Sequence, residues 1–189
     1  MKNLKLLVII AAVIVSLSAA GLYAQSAGSM FIAPKAQLAY GFGDAHDFKS
    51  FNETVTINPG VGGGFFFGYY YSDSFAMEGD VSFLYWFTDT PSGLDYTVYA
   101  VPFYFGLKFG MNPMFGIIAG IGAQWDYRKV EIEGFASETK KKLWSSFYAG
   151  VEINFQSVIF RPKFVYVYAS KDPSYSIWFE LGYMVELTQ

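Results

Sequence analysis

The sequence predicts an all-β protein: an eight-stranded antiparallel up-and-down barrel behind a cleaved signal peptide. Three observations predict this fold class. The chain breaks into short apolar segments rich in Val, Ile, Phe, Tyr and Trp, polarity alternates within them with a period of two, and their connections are alternately short and long. Only 15% of the 189 residues are charged and 53% are hydrophobic, whereas about a quarter charged is usual in soluble domains.

The N-terminal residues 1–24 have the features of a secretory signal peptide. Lys2 and Lys5 precede an apolar stretch, and small residues follow it before Ala24, after which we predict cleavage. The alternative is an uncleaved anchor helix, which the shortness of the apolar stretch disfavours. Since the length suits one domain, we predict a signal peptide over 1–24 and one barrel domain over 25–189.

The composition excludes several classes of site. Cysteine is absent, which excludes disulfides, thiolate metal sites and a lipid-modified N-terminal cysteine. Removal of residues 1–24 takes away two lysines and no acid, so the formal net charge falls from −3 to −5. A chain with this acidic excess and no basic patch is not expected to bind nucleic acid.

Eight apolar segments are the predicted strands: Phe31–Phe42, Thr56–Tyr71, Phe75–Phe87, Tyr96–Phe109, Met114–Lys129, Leu143–Phe155, Val158–Ala169 and Ser176–Leu187. Short connections lie at 72–74, 110–113 and 156–157, and longer polar ones at 43–55, 88–95, 130–142 and 170–175. Alternation of this kind is typical of a barrel whose two ends meet different surroundings, with short turns in the periplasm and long loops outside the cell.

The period of two decides which face points inward. In the last segment Ile177 and Phe179 share one face, while Trp178 and Glu180 share the other, and other segments likewise keep their charges on the second face. Eight strands enclose room for only modest side chains or one small ligand. In a soluble barrel the apolar face would have to point inward, where its large side chains would overfill that space. We therefore predict that the apolar face points outward into lipid. A closed barrel satisfies its backbone groups even there.

Aromatic residues near both ends of the segments predict two interfacial belts, with Tyr69, Tyr71, Phe75, Phe109 and Phe155 near the short turns and Trp125, Tyr127, Tyr166 and Tyr168 near the long loops.

Eleven ionisable residues are then predicted to point into the lumen: Lys35, Glu78, Asp80, Lys108, Asp126, Arg128, Glu152, Arg161, Lys163, Glu180 and Glu186. Since an unpaired ion in such an interior costs several kcal/mol, we expect these cations and anions to pair with one another. A plug of ion pairs is favoured over a transport path. The register is least certain around Pro34, Pro59, Pro102 and Pro162, because each proline removes one ladder donor.

The C-terminal segment "ELGYMVEL", residues 180–187, has polar Glu180 and Gly182 followed by apolar Val185 and Leu187. With the architecture, this segment resembles the small eight-stranded bacterial outer-membrane barrels of the OmpA, OmpX and OmpW class, the outer membrane protein β-barrel domain group. The resemblance implies a place in the outer membrane, surrounding lipid as a partner, and recognition of these four residues by the barrel-assembly machinery. Since the eighth strand ends the sequence, we expect no peptidoglycan-binding domain after it.

Three functions are compatible with this interpretation. The favoured one is a plugged barrel with membrane-structural or surface-interaction roles, meeting partners through loops 43–55 and 130–142. The alternative is a narrow conduit for small or hydrophobic solutes, as the resemblance to OmpW implies. A rim enzyme using Asp44, His46, Ser50 and Asp89 is the weakest, because nothing in their spacing requires it. A metal site of His46 with Asp44 and Asp47 is also disfavoured, since a loop rich in Asp and His is normally only solvated. We therefore predict no catalytic residue, metal or cofactor.

Overall fold

The structure is a computed structural model that describes residues 27–42, 47–50, 53–89, 94–132, 136–168 and 173–187. These residues form ten antiparallel strands: β1 (Met30–Phe42), β2 (Asp47–Ser50), β3 (Glu53–Ser72), β4 (Phe75–Asp89), β5 (Leu94–Gly110), β6 (Phe115–Ile132), β7 (Ala136–Phe155), β8 (Val158–Tyr168), β9 (Ser174–Tyr183) and β10 (Val185–Leu187). In this part of the chain, no helix has the length and apolar character needed to cross a membrane. The predicted signal peptide lies outside the described residues and stays a prediction.

The sheet closes into a barrel of eight strands. Strand β1 pairs with β3 on one side and with β9 and β10 on the other, so the ring runs β1-β3-β4-β5-β6-β7-β8-β9 and returns to β1. β10 continues the line of β9 after a break at Met184, and β2 pairs only with the outer part of β3. All eight predicted strands are present, and the predicted all-β, up-and-down barrel is confirmed.

All four predicted long connections contain strand residues, and the two longest contain the most. Residues 43–55 contain β2 and the start of β3, and residues 130–142 contain the end of β6 and the start of β7. The prediction of loop over 130–142 was therefore wrong for most of its length. Val130 and Ile132 alternate with Glu131 in a period of two, which is a strand signal. The ladder between β6 and β7 continues to the pair Ile132 and Ala136.

The four prolines lie inside strands, and the chain accommodates them in two ways. The register shifts by one residue at Pro59, between Ile57 and Gly60, which is a β-bulge. Pro34, Pro102 and Pro162 cause no shift, but each coincides with a gap in one of its two ladders. A proline has no N–H to donate, so the ladder stops locally on the side that this N–H would have faced. The break at Met184, between β9 and β10, lies beside Pro34 for this reason.

Large apolar side chains cover the outside of the barrel, and the charges are inside. Ile121 is 71% exposed, Phe164 42% and Phe179 41%, whereas Arg161 and Glu180 are each 1% exposed. An exterior of this kind is far more apolar than a soluble monomer tolerates, and it fits the hydrocarbon of a bilayer. The predicted inversion of the barrel is confirmed.

Aromatic contacts on the outside lie at the two predicted levels. Near the short turns, Tyr71, Phe75 and Phe109 contact one another in sequence, with ring centroids 5.8 and 5.1 Å apart. Near the long loops, Tyr99 stacks on Tyr127 at 4.4 Å. Such rings suit the membrane–water interfaces, where one end of the side chain is apolar and the other is wet.

Candidate functional site

The lumen contains eight buried ionisable side chains, which we name the charge cluster: Lys35, Glu78, Asp80, Lys108, Glu152, Arg161, Lys163 and Glu180. Each is at most 7% exposed, and their formal charges sum to zero. They come from six of the eight barrel strands. Side chains along a strand point alternately into and out of the barrel. Inward-pointing residues at mid-height on these six strands therefore meet in the lumen.

Two parallel ion pairs cross the barrel from wall to wall. Strands β4 and β8 stand opposite each other in the ring, with three strands between them on either side. Glu78 and Asp80 are two residues apart on β4, and Arg161 and Lys163 are two residues apart on β8. Glu78 therefore meets Arg161 while Asp80 meets Lys163. The two pairs brace opposite walls of the barrel.

Arg161 forms the denser half of the charge cluster. Its Nη1 donates to Glu78 Oε1 at 3.0 Å and its Nη2 to Glu78 Oε2 at 2.7 Å, a two-pronged pairing. Its Nε donates to Glu152 Oε2 at 2.8 Å, and Nη2 also contacts that oxygen. Lys108 pairs with the other oxygen of Glu152. The planar fork of arginine binds one carboxylate through two parallel N–H donors while Nε reaches a second carboxylate, a geometry that the single nitrogen of a lysine does not provide.

The other half is a four-membered ring of alternating charge. Lys35 Nζ lies 2.7 Å from Asp80 Oδ2 and 2.5 Å from Glu180 Oε1, while Lys163 Nζ lies 2.9 and 2.8 Å from the same two atoms. Ser82 donates to the second oxygen of Asp80 at 2.9 Å. Each charge therefore has two neighbours of opposite sign, which offsets the cost of removing it from water.

Aromatic rings line the charge cluster. The Lys163 ammonium lies 4.7 to 5.2 Å from the ring centroids of Tyr148, Trp178 and Tyr104. The Arg161 guanidinium lies 3.9 Å from that of Phe66. Ring faces attract cations, and the attraction is larger when both are desolvated. The rings thus stabilise the cations while filling the remaining volume.

Two tyrosine hydroxyls complete the hydrogen bonding. Tyr148 donates to Glu78 Oε1 at 2.9 Å, and Tyr70 accepts from Lys108 Nζ at 2.9 Å. Tyr148 of β7 fits because the residues beside it on the neighbouring strands β6 and β5 are glycines. A Cβ on Gly106 would lie 2.1 Å from Tyr148 Oη, and one on Gly120 would lie 2.4 Å from Tyr148 Cε1.

Apolar clusters lie on both sides of the charge cluster. Toward the short turns is a cluster of Phe31, Ala33, Phe66, Tyr70, Ala76, Ile159 and Met184. Toward the long loops is a larger one of Ala39, Leu84, Trp86, Val98, Ala100, Tyr104, Ile118, Tyr148, Val165, Val167 and Trp178. The lumen is therefore layered, with paired charges at mid-height and packed apolar side chains above and below.

Three of the predicted lumen charges lie outside this cluster. Asp126 and Arg128 line a cavity of about 50 Å³ at the outer mouth, where their side chains are 3.7 Å apart. Glu186 lies in β10, at the opposite end of the barrel, and is half-buried. These three residues lie toward the two mouths of the lumen, where the side chains of Asp126 and Arg128 are 13% and 30% exposed.

The residues predicted as an assembly signal lie in the last two strands. Glu180 is part of the charge cluster, Gly182 faces the ring of Phe66, and Val185 and Leu187 are exposed on β10. Their recognition during assembly stays a prediction.

Of the residues considered for a rim site, two lie outside the described chain, and Asp89 is exposed at the end of β4. Asp44 and His46 are among the residues not described, and nothing is stated of the side chains of Asp47 and Ser50. Across the described residues, no group of three or more His, Asp or Glu side chains could hold a metal ion.

Sequence reasoning missed the aromatic part of the site. Phe66, Tyr70 and Tyr104 were not among the predicted lumen residues, although each shares its face with a glycine or a charge at a spacing of two or four. This spacing was the sequence signal that could have placed these aromatic residues in the lumen.

A family model described as "Outer membrane protein beta-barrel domain" matches residues 9–186. The chain belongs to this family. As a family member it is a transmembrane barrel of the bacterial outer membrane. A search of curated proteins found no match.

Solved structures of small outer-membrane barrels resemble this family member in fold. The attachment invasion locus protein Ail of Yersinia pestis aligns with a TM-score of 0.64 at 15% identity, covering 84% of this chain and 99% of that chain. The N-terminal barrel domain of Pseudomonas aeruginosa OprF aligns at 0.56 and 13% identity, covering 85% and 100%. Neisserial surface protein A aligns at 0.56 and 12%, covering 82% and 96%. Identities this low establish the fold alone.

Proposed function

We propose that this outer-membrane barrel is closed by its charge cluster and serves membrane-structural or surface-interaction roles through its outward connections. The supporting observation is the layered lumen, in which eight mutually paired charges lie between two apolar clusters. Lipid surrounds the apolar exterior, and the barrel-assembly machinery is the proposed partner during insertion.

The energetics favour a closed lumen over an open one. A solute crossing the barrel has to separate pairs such as Arg161 and Glu78, whose atoms are 2.7 Å apart and almost fully buried. Removing one partner of a buried pair costs about 3–5 kcal/mol. Two layers of packed rings, including Phe66 and Trp178, lie in series with these pairs.

Single-channel recording in planar bilayers tests the closed lumen. We expect no steady conductance from the folded wild-type barrel, and none from Ile121→Val, a matched change on the lipid face. The double variant Arg161→Ala and Lys163→Ala, which removes the bulk and charge at the centre, is expected to conduct. A steady current from wild type would contradict the plug and favour the narrow-conduit alternative, which uptake of small apolar solutes into proteoliposomes would then examine.

A surface role is supported by the β6–β7 region, part of the predicted partner loop 130–142. Lys140, Lys141 and Lys142 are all exposed there. Ail, which shares the fold at 16% identity and a TM-score of 0.62, has been solved in complex with the heparin analogue sucrose octasulfate. For the present chain we propose contact with surface partners at 43–55 and 130–142 without assigning that ligand. Deletion of residues 130–142, which removes the end of β6 and the start of β7, should abolish partner binding and leave the barrel folded, as heat-dependent gel mobility would show.

Our proposal includes no catalytic role. Since the ionisable groups of the charge cluster bind one another out of contact with solvent, they are poorly placed to act on a substrate. His46→Ala is the test of a rim enzyme, because loss of a measured hydrolase or transferase activity in that variant would contradict the proposal.

A further inference from the structure

The cavity of about 50 Å³ at the outer mouth, which we name the mouth cavity, has an apolar floor. Trp86, Val98 and Val167 belong both to its lining and to the apolar cluster on the long-loop side of the charge cluster. One water-sized group needs roughly 10–15 Å³ of such a volume, so the mouth cavity holds about three to five of them. Its size therefore suits a small molecule that rests on packed apolar side chains.

Polar side chains form the wall of the mouth cavity. Gln124, Asp126 and Arg128 follow one another at a spacing of two on β6, so all three lie on the inward face of that strand. Ser174 and Ser176 of β9 add two hydroxyl groups to the lining. The wall thus offers an amide, a carboxylate, a guanidinium and hydroxyls within one small space.

Gln124 is the most buried polar residue of this wall, and one of its two polar atoms lacks a partner. The residue is 6% exposed, and its Nε2 donates to Asp126 Oδ1 at 2.8 Å. Its Oε1 has no hydrogen-bond partner among the described residues. Since a buried acceptor without a donor is unfavourable, this oxygen marks a position where an N–H or O–H group of a ligand would be stabilised.

The two charges of the wall lie close together without a direct hydrogen bond between the nearest atoms. Asp126 Oδ2 and Arg128 Nη2 are 3.7 Å apart, which is beyond hydrogen-bond distance. At this separation the carboxylate oxygen can still accept a hydrogen bond from a group placed beside it. The guanidinium carries several N–H donors in a planar fork, so it can also donate to a carboxylate placed beside it.

We infer that the mouth cavity binds a small α-amino acid, of the size of glycine or alanine, in its zwitterionic form. The ammonium of the ligand donates to Asp126 and to Oε1 of Gln124, while its carboxylate accepts from Arg128. Only one carbon separates the two charged groups of an α-amino acid, and this short separation matches the 3.7 Å between the charges of the wall. The inference goes beyond the proposed function, because it adds a ligand above the charge cluster and requires no passage through the lumen.

Ligands with a single charge match the wall less well. A simple cation that binds Asp126 would also meet the charge of Arg128, and a simple anion would meet the charge of Asp126 together with the unpartnered oxygen of Gln124. Like charges placed against each other in a binding site are unfavourable. A zwitterion instead gives each of these three side chains a group of complementary character.

The indole N–H resonances of the folded, ¹⁵N-tryptophan-labelled barrel in detergent micelles test the inference. Trp86 lines the mouth cavity, and Trp178 donates its indole N–H to Ser176 at 2.7 Å. Trp125 contacts Tyr99 on the outer face of the barrel and is the internal control. We expect glycine and alanine to shift the Trp86 and Trp178 resonances saturably, with no shift of the Trp125 resonance.

Three further ligands separate charge from size in the same assay. Acetate and ethylammonium each keep only one of the two charges, so each should bind at least tenfold more weakly than glycine. Leucine keeps both charges but has a side chain too large for the mouth cavity, and a close-packed floor does not yield to it. Leucine should therefore also bind at least tenfold more weakly than glycine.

The variant Asp126→Asn keeps the shape of the side chain and removes the charge that faces the ammonium. We expect it to bind glycine at least tenfold more weakly. The matched control is Glu131→Gln, an acid-to-amide change on the same strand at a residue that is 51% exposed and outside the lining, and its glycine binding should equal that of wild type. Heat-dependent gel mobility verifies folding of both variants, and if Asp126→Asn does not fold, the series of ligands on the wild-type barrel decides alone.

Any of four results would overturn the inference. The first is the absence of a saturable shift of the Trp86 and Trp178 resonances with glycine. The second is binding of acetate or ethylammonium as tight as that of glycine, which would mean that one charge suffices. The third is equal binding of leucine, which would mean that the mouth cavity does not enclose the ligand, and the fourth is unchanged glycine binding in folded Asp126→Asn. Bilayer conductance of the same protein reports separately on the closed lumen, so failure of one proposal is distinguishable from failure of the other.

Discussion

Replacement of Arg161 by Met is the sharpest perturbation of the charge cluster. The variant keeps much of the side-chain volume next to Phe66, where the guanidinium lies 3.9 Å from the ring centroid. It removes the cation that binds Glu78 through two donors and Glu152 through a third. The cluster, neutral in wild type, is left with one excess negative charge in a buried site.

The loss of stability in Arg161→Met follows from the partners that Glu78 and Glu152 retain. Glu152 still has Lys108 as a partner, but Glu78 retains only the hydroxyl of Tyr148, which donates at 2.9 Å. A buried charge that loses its partner destabilises the fold by about 3–5 kcal/mol. Removing the second charge as well, in Arg161→Met with Glu78→Gln, should recover part of this loss, with a coupling energy of roughly 1–3 kcal/mol.

Urea unfolding in detergent micelles, followed by the heat-dependent mobility shift and by tryptophan fluorescence, measures both effects. The matched control is Lys129→Met, which breaks an ion pair with Glu131 whose members are 35% and 51% exposed; such surface pairs contribute about 0–1 kcal/mol. If Arg161→Met costs no more than Lys129→Met, the lumen is solvated at mid-height and the reasoning for a plug fails.

Two further predictions examine the outside and the packing of the inside. Ile121→Arg should lower the free energy of unfolding by about 2–4 kcal/mol, because position 121 meets hydrocarbon. Met111 is equally exposed at 71% but lies in a short turn, so Met111→Arg should change it by almost nothing. Equal losses for the two variants in the same urea assay would mean that lipid does not cover Ile121. Gly120→Val should destabilise the barrel by about 1–3 kcal/mol, because its Cβ would lie 2.4 Å from Tyr148, and its outward neighbour Ala119→Val should be neutral within about 0.5 kcal/mol. A neutral Gly120→Val would show that Tyr148 has space to move.

The strands and their faces could be predicted because both depend on local pattern. The period of two places Phe164 and Phe179 on one face and Arg161 on the other from sequence alone. The number of strands limits the volume of the lumen, which decides that the face with Phe164 points outward. Strand ends were less predictable. The end of β6 and the start of β7, within 130–142, were interpreted as loop because polar residues dominate there, although the period of two continues through Val130 and Ile132.

The pairing inside the lumen could not be predicted in the same way. That Glu78 meets Arg161 rather than Lys35 depends on the stagger of β4 against β8, which is set by the sum of the four strand-to-strand registers between them. Proline effects were also undecidable in advance, since Pro59 shifts the register and Pro34 does not.

The charge cluster also makes the barrel register specific. A slip of two residues between β4 and β8 would keep every side chain on its proper face, yet it would move Glu78 about 6.6 Å from Arg161 at ~3.3 Å per residue. Apolar packing against lipid does not oppose such a slip, because one exterior aromatic residue replaces another. The ion pairs do oppose it, since each slipped register leaves a desolvated charge without a partner.

Exchanging the charges of Asp80 and Lys163 distinguishes two roles of the charge cluster, selection of the strand register and neutralisation of the lumen. Asp80→Lys with Lys163→Asp preserves the net charge but puts Lys35 beside a new lysine and Glu180 beside a new aspartate. If only neutrality matters, this double exchange should fold with yields near wild type. If alternation around the ring matters, refolding into micelles should fall sharply, and adding Lys35→Asp with Glu180→Lys, which restores the alternation with reversed signs, should raise it again. Equal refolding of the double and quadruple exchanges would contradict a role of the ring in selecting the register.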